Sequence, residues 1–263
     1  MGDQMSLRPL VTLWIGDTLG PIERLSLASM VASGHPTLLY SYGEPSGLPP
    51  GVVLRDAAEV LPRETAAANR YANGSYALFS NLFRYEALRQ GLGIWLDTDV
   101  VCLSPIARAT GFLAGWESAD YLNGAVLYAE ADSPFVQGAL AAFASGRVPP
   151  WLPFHRAPRA WLKHAVGRRV TPAELPHGTF GPKAVTALAR RYRLLPLAQA
   201  REVFYPLPPR EARRIFEQDT RLEDYVRPET LAIHLWNEKL RDLKHQSPPR
   251  GSLLRQLFER FGV

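Results

Sequence analysis

The stretch Gly93-Ile94-Trp95-Leu96-Asp97-Thr98-Asp99-Val100-Val101-Cys102-Leu103 limits what this chain can become more than any other. Three apolar residues after two closely spaced glycines are too few for a helix and too apolar for a surface loop, so they read as a short buried strand. That strand delivers Asp97 and Asp99, two carboxylates at i and i+2, and the apolar path then resumes until Pro105. A carboxylate pair against a core is costly unless something positive neutralises it. A divalent cation does so, since hard oxygen ligands suit magnesium or manganese, and such ions bridge protein carboxylates to diphosphate oxygens. The carboxyl end of a strand is also where open α/β sheets bind ligands. On spacing alone, a strand ending in a solvated acidic turn is the plain alternative.

The rest of the pattern gives that strand a context. Leu10 to Gly16 is a short apolar run closed by glycine and aspartate, Pro21 to Ser33 has near-helical apolar spacing, and Thr37 to Tyr42 and Val52 to Leu54 read as further strands. Strand, helix, strand, loop, strand is the opening of an α/β domain with parallel pairing. Tyr71 to Leu92 is expected to be a long helix with Leu78, Phe79, Leu82, Phe83, Tyr85 and Leu88 on its apolar face, a cap at Ser75 or Ser80, and a stop at Gly91 and Gly93. It places Arg84, and Asn81 one turn earlier, on a face that reaches the end of the Ile94–Leu96 strand. Downstream, Phe112–Trp116 and Gly124–Tyr128 read as strands, Ser133–Ala144 as a capped helix, Pro149–Pro158 as a surface loop or lid, Val185–Tyr192 and Glu211–Phe216 as helices, and Leu231–Trp236 as a late strand.

At 263 residues, 46% hydrophobic and 21% charged, one large domain with a full core is expected. The single cysteine, Cys102, lies in an apolar run and reads as a buried, inert thiol. The opening segment has no basic region followed by a continuous apolar run, and no window approaches the roughly 18 apolar residues of a membrane span, so a cytoplasmic location is expected. A net charge of +5, with arginines clustered at Arg156, Arg159, Arg168-Arg169 and Arg190-Arg191, suits anionic partners. No helix-turn-helix, zinc-finger or aromatic sheet signature accompanies the charge, so nucleic acid is not expected among them.

The block from Ser80 to Leu88, continued from Gly91 to Val100, resembles the Asp-X-Asp sugar transferases of glycosyltransferase family 32, most of all their α-1,4-glycosyltransferase branch, which is related to the clostridial toxin glucosyltransferases. Trp14-Ile15-Gly16, Leu122 to Leu127, Gly178 to Pro182, Phe204-Tyr205-Pro206 and His234 to Asn237 are similar to further signatures of that family, in family order. The resemblance implies a GT-A type, Rossmann-like nucleotide-sugar-binding fold with a mixed central sheet flanked by helices. It implies one domain over 1–263, with a donor-binding part at about 8–105, an acceptor-facing part at about 106–245 and a C-terminal helix at about 249–263.

The same resemblance implies a metal-dependent, retaining hexosyl transfer in polysaccharide biosynthesis, from a UDP-sugar to a glycan or glycolipid acceptor, with Mn2+ or Mg2+ as the cofactor. Asp97, Asp99 and Arg84 take the catalytic positions, Asp97, Asp99 and His234 the metal positions, and Trp14, Asn81, Arg84, Asp97, Asn123 and Trp236 the donor-binding positions. The family usually has aspartate where this sequence has Asn81, which bears on donor choice. On residues alone, Trp14, Trp236 and His234 read as core side chains. Glu117 and Asp120 read either as a base or acceptor contact or as an acidic loop after a strand.

Two other readings remain open on the sequence. A nucleotide-sugar or glycan binding protein without turnover is one. An aspartyl-phosphate phosphatase, whose nucleophile also follows an apolar strand, is the other, although no second strand here ends in paired aspartates. The tail Pro249–Val263 sets Leu253, Leu254, Leu257, Phe258 and Phe261 on one helical side, with Arg250, Arg255 and Arg260 among the rest. Packing against the domain is the first expectation, and peripheral contact with the inner face of a membrane the second.

Overall fold

Parallel strands come first. In the computed structural model, which describes residues 7–107 and 109–263, β1 (Leu10–Trp14), α1 (Pro21–Ala32), β2 (Thr37–Ser41) and β3 (Val52–Asp56) follow one another, and the three strands pair in parallel. Met1–Ser6, part of the opening segment expected to carry no leader, and Arg108 lie outside the described residues. Pro21 starts α1 at a position whose N–H would have no helical partner anyway. After α2 (Arg63–Ala68) and α3 (Ala77–Arg89), β4 (Ile94–Leu96) returns to the opposite edge of β1 and also runs parallel to it. Chain order therefore reverses between β1 and β4, and at such a switch point an open α/β sheet has a crevice beyond its carboxyl edge.

The next strand, β5 (Val100–Cys102), leaves the sheet, while β6 (Phe112–Trp116) and β7 (Leu122–Ala129) form a hairpin whose second strand lies antiparallel to β4. The result is the expected α/β class, a mixed six-stranded sheet in the order β3-β2-β1-β4-β7-β6. The chain continues through α4 (Pro134–Ala144), α5 (Pro158–Ala165), α6 (Pro182–Arg191), α7 (Arg201–Phe204), β8 (Ala232–His234) and α8 (Leu253–Phe261). β8 pairs antiparallel with β5, setting Val100 opposite His234.

Strand alternation divides the core. Val11, Trp95 and Leu127 point toward α3, α4 and α6, whereas Leu10, Ile94, Leu96 and Val126 point to the other side, where Leu27 and Met30 of α1 meet them. All three residues of β4 are buried, so Asp97 emerges directly from the core. Ser26 and Ser29 of α1 fasten β5: the Ser26 hydroxyl donates to the Val100 carbonyl (2.6 Å), and the Ser29 hydroxyl accepts from the Cys102 N–H (2.9 Å). Burial pushes the Cys102 thiol up to about 12, as fits an inert packing group.

Three local expectations are corrected. The helix expected from Tyr71 begins at Ala77, because the chain closes a turn first, with the Tyr71 N–H on the Ser75 carbonyl (3.0 Å) and Gly74 at φ +84°. Ser75 accepts from the Ala77 N–H (3.2 Å), and Ser80 lies inside the helix without capping it. Pro209–Phe216 is 3-10 rather than α-helical, and α5, not anticipated, starts at the Pro158 that was expected to end a loop. The tail follows its first expectation: Leu253, Leu254, Leu257 and Phe258 of α8 pack with Ile22 and Leu25 of α1, Val101 and Ile215. The apolar face that would meet a membrane is thus already occupied. No helix of the described residues is long and apolar enough to cross one.

Gly93 holds the entry to β4 at φ +147°, where a Cβ would run into the Pro9 carbonyl oxygen and stand 3.1 Å from a Val11 methyl. Gly93→Ala is expected to cost about 3 kcal/mol from backbone strain and overlap. At this chain size that lowers Tm by roughly 6–12 °C in a thermal melt.

Candidate active site

The end of β4 opens onto a cleft of about 470 Å³ at the β1/β4 switch point. Trp14 and Ile15 from the end of β1 form one wall, Asp97, Thr98 and Asp99 another, and Gly74 to Ala77 with Ser80, at the start of α3, a third. A helix start presents free N–H groups and the positive end of its dipole, which favours phosphate. The Trp14 indole N–H is buried without a partner among the described residues. Its ring lies along the chain at Gly16, where a Cβ would come within 3.1 Å of the indole nitrogen.

Asp97 is held from behind. The Arg84 guanidinium (2.6 Å) and the Trp95 indole N–H (2.6 Å) both donate to its Oδ1. Arg84 is nearly buried, its guanidinium carbon sits 5.3 Å from the centre of the Trp95 ring, and a second N–H donates to Asn81 Oδ1 (3.3 Å). Asn81 in turn donates to the Ala77 carbonyl (2.8 Å), so its amide is oriented by its own helix. With both bonds on one oxygen, the other oxygen of Asp97 accepts no hydrogen bond among the described residues.

Asp99 belongs to the second small sheet. His234 Nε2 lies 3.1 Å from Asp99 Oδ1, and the Asn237 N–H donates to Oδ2 (2.8 Å). Burial works against charge on either group. For His234 the neighbouring Asp99, with Asp97 and Glu117 adding to it, outweighs burial and holds the imidazole above its usual range. For Asp99 the same imidazolium and the Asn237 N–H hold the carboxyl below its usual range. Trp236 sits at φ +57°, donates its indole N–H to the Leu207 carbonyl (2.8 Å) and packs its ring 4.0 Å from the His234 ring at a tilt of 46°. It stands behind the histidine rather than among the residues lining the cleft.

Oxygen atoms of Asp97 and Asp99 and a ring nitrogen of His234 all lie within 4.8 Å of one another. Two carboxylates and an imidazole suit manganese, and suit magnesium less well through the nitrogen ligand. His234 Nδ1 is buried without a partner among the described residues, so no second hydrogen bond fixes which ring nitrogen carries the proton.

The opposite side of Arg84 is floored by β7. A Cβ on Gly124 would approach an Arg84 nitrogen to 2.5 Å, and a Cβ on Gly181, just before α6, would stand 3.5 Å from Asn81 Oδ1. Both glycines leave room for the arginine and asparagine heads. Gly124→Ala is expected to displace the guanidinium from Asp97, seen as a fall in activity or ligand binding of more than about tenfold together with a fall in Tm, because the buried arginine and Asp97 lose each other as partners. Asn123 is nearly buried; it donates to Glu117 (2.6 Å) and accepts from the Ala125 N–H (2.8 Å). Tyr205 braces this strand, its hydroxyl accepting from the Val126 N–H (3.1 Å).

The structure thus brings Trp14, Asp97 and Asp99 to the cleft wall and sets Asn81, Arg84, His234 and Trp236 behind them, with Asn123 on the β7 side. Glu117 lies in the loop after β6, as one of its two readings had it, but it is partly withdrawn from solvent on Asn123, and burial raises its carboxyl. Asp120 is exposed. Sequence reasoning missed the start of α3, hidden by the early helix boundary, and Lys244, which lines the cleft from an irregular charged segment without periodicity.

Neither a family model nor a curated protein matches this chain. Among solved structures, the chain is similar to one titled PaToxG glycosyltransferase, at 13% identity and a TM-score of 0.47, over 73% of this chain and 70% of that one.

Proposed function

We propose that this chain is a metal-dependent glycosyltransferase of the family 32 kind, taking a UDP-sugar as donor. The observation that carries the reading is the convergence of Asp97, Asp99 and His234 at the carboxyl edge of β4, beside a switch-point cleft that has Trp14 on its far wall. The resemblance from Trp14 to Asn237 adds to it. Residues 8–105 would then bind the donor and 106–245 face a glycan or glycolipid acceptor.

In this reading Asp97, Asp99 and His234 would hold Mn2+ or Mg2+, which would supply positive charge to the departing nucleoside diphosphate. Trp14 stacks on the base. Asn81 and Arg84 meet the donor sugar, with Arg84 shared between Asp97 and the diphosphate, and Asn123 carries the sugar floor. Transfer is retaining: the acceptor hydroxyl bonds to the anomeric carbon on the face the diphosphate leaves, the carbon–oxygen bond breaks with its electron pair on UDP, and the hydroxyl proton goes to the leaving diphosphate. Electrostatic preorganisation by fixed groups is the main catalytic contribution.

Calorimetric titration of UDP with manganese, and again with excess chelator, tests the reading. Metal-dependent UDP binding is the expected outcome, and absence of binding by folded protein in manganese overturns it.

The His234–Asp99 pair adds a pH signature. In the metal-free protein, His234 has a raised pKa, so its contribution to stability is full below about 6.5 and fades as pH rises through the folded value. Asp99 has a lowered pKa, so its contribution is full above about 3.9 and fades as pH falls through its folded value. Metal-free Tm is therefore expected to be highest in mildly acidic buffer and to decline on the alkaline side. Added manganese competes with the His234 proton, so its stabilising increment should grow with pH over that same interval. A manganese increment independent of pH would remove His234 from the ligand set.

A further inference from the structure

A second cleft, of about 640 Å³, lies over the first two turns of α6, lined by Asp120, Tyr121, Trp151, Arg156, Lys183 and Arg190 among others. Its position relates it to the donor site. Asp120 and Tyr121 lead directly into β7, where Leu122 donates its N–H to Thr186 of α6 (2.9 Å) and Asn123 follows. Lys183 comes two residues after Gly181, the glycine that faces Asn81. The cleft is therefore anchored to both the strand and the helix start that floor Asn81 and Arg84.

Its chemistry combines flat aromatic surface with cations that have no ion-pair partner among the described residues. Trp151 is fixed by its indole N–H on the Thr179 carbonyl (2.8 Å) and is half-buried, while Tyr121 is 40% exposed. Aromatic rings in such a lining suit the C–H surface of a sugar, and with the Trp151 N–H already engaged the Tyr121 hydroxyl is the ring group left for the sugar's own hydroxyls. Among the described residues, Arg156, Lys183 and Arg190 form no ion pair, whereas nearby Lys163 holds Glu174 at 2.6 Å and Arg213 holds Asp242 at 2.7 Å. Burial and the adjacent Arg156 hold the Lys183 ammonium below its usual range, as expected for two cations without an anion between them. The chain from 133 to 173 contains no aspartate or glutamate, so the surroundings add positive field rather than cancel it. Asp120 is the single carboxylate in the lining, placed where it can accept from a hydroxyl.

We propose that this cleft is the acceptor subsite and that it selects an acceptor carrying a phosphate or carboxylate group on or beside its sugar ring. The proposal rests on the reading of the chain as a glycosyltransferase. A neutral glycan would leave three cations in the lining without an ion-pair partner and only Asp120 as carboxylate among them. An anionic group gains charge-assisted hydrogen bonds from two arginines and a lysine while the sugar ring covers Trp151.

The test is calorimetry without UDP or metal, titrating glucose 6-phosphate, glucuronic acid, glucose and inorganic phosphate into the wild type and the double variant Lys183→Gln, Arg190→Gln. At least one anionic sugar should bind ten-fold or more tightly than glucose and than inorganic phosphate. The double variant should lose that advantage and still bind UDP with manganese within twofold of the wild type. Trp151→Phe should retain the preference and Trp151→Ala weaken both sugars. Equal binding of glucose and the anionic sugars, with UDP binding intact, overturns the subsite and leaves the donor reading standing. Inorganic phosphate binding as tightly as the phosphosugar overturns the sugar component. Anionic-sugar preference without any UDP binding overturns the acceptor role together with the transferase reading.

Discussion

Asp99→Ala is expected to lower manganese-dependent UDP affinity by more than about 100-fold and turnover by about 1,000-fold or more, the scale seen when a fixed charge-stabilising group is removed from a reacting centre. The substitution deletes the carboxylate that meets His234 at one oxygen and the Asn237 N–H at the other. In the proposed site it would thus remove a metal ligand, and it frees the histidine beside it. Asp99→Asn separates the two roles. The amide oxygen can still accept from Asn237, so the loop holds, but the ligand charge is gone. Both variants should show near-wild-type near-UV circular dichroism and no metal-dependent UDP binding. Retention of that binding in a folded Asp99→Ala protein would remove the metal centre from the proposal.

Arg84 should give the largest combined loss. Truncation to alanine strands Asp97 beside buried Trp95 with one hydrogen bond in place of two, and breaking a largely desolvated pair by removing one partner costs about 3–5 kcal/mol. For a chain of this size that is a fall in Tm of roughly 6–20 °C, together with loss of activity. Arg84→Lys is the sharper experiment. The charge stays, but one ammonium cannot span Asp97 and Asn81 as the guanidinium fork does. Most of the stability should return and most of the activity should not. Full recovery of activity in the lysine variant would mean that charge alone is used at this position.

Which parts were legible follows from the range of the forces involved. The parallel opening was readable because each apolar run is short, local and bounded by glycine or proline, and Ile94-Trp95-Leu96 had to be buried whatever surrounded it. Arg84 meeting Asp97 could be anticipated because helical spacing and a short connection put the two at the same end of the sheet. The exit of β5 from the main sheet could not, since Val100 to Cys102 is as apolar as β4 and the choice of β8 as partner is made by chain far downstream. The placing of Glu117 was hidden for a similar reason. Nothing near it in sequence announces that Asn123, across a tight hairpin, will bind it. The amphipathic tail was ambiguous because a helix face reads the same whether a membrane or the outer side of α1 covers it. Lys244 carried no signal at all.

The pairing of β5 with β8 makes this site a closure between distant parts of the chain. Asp99 and the Asn237 N–H that holds it are separated by 138 positions, and the Leu235 N–H is bonded to the Asp99 carbonyl (2.9 Å). A contact of that sequence separation closes a long loop, whose entropy the contact must offset. An ion held by Asp97, Asp99 and His234 would therefore tether the final third of the polypeptide to its first half. Its removal would be registered less by the sheet than by protease cleavage and amide exchange in the segment after Tyr205.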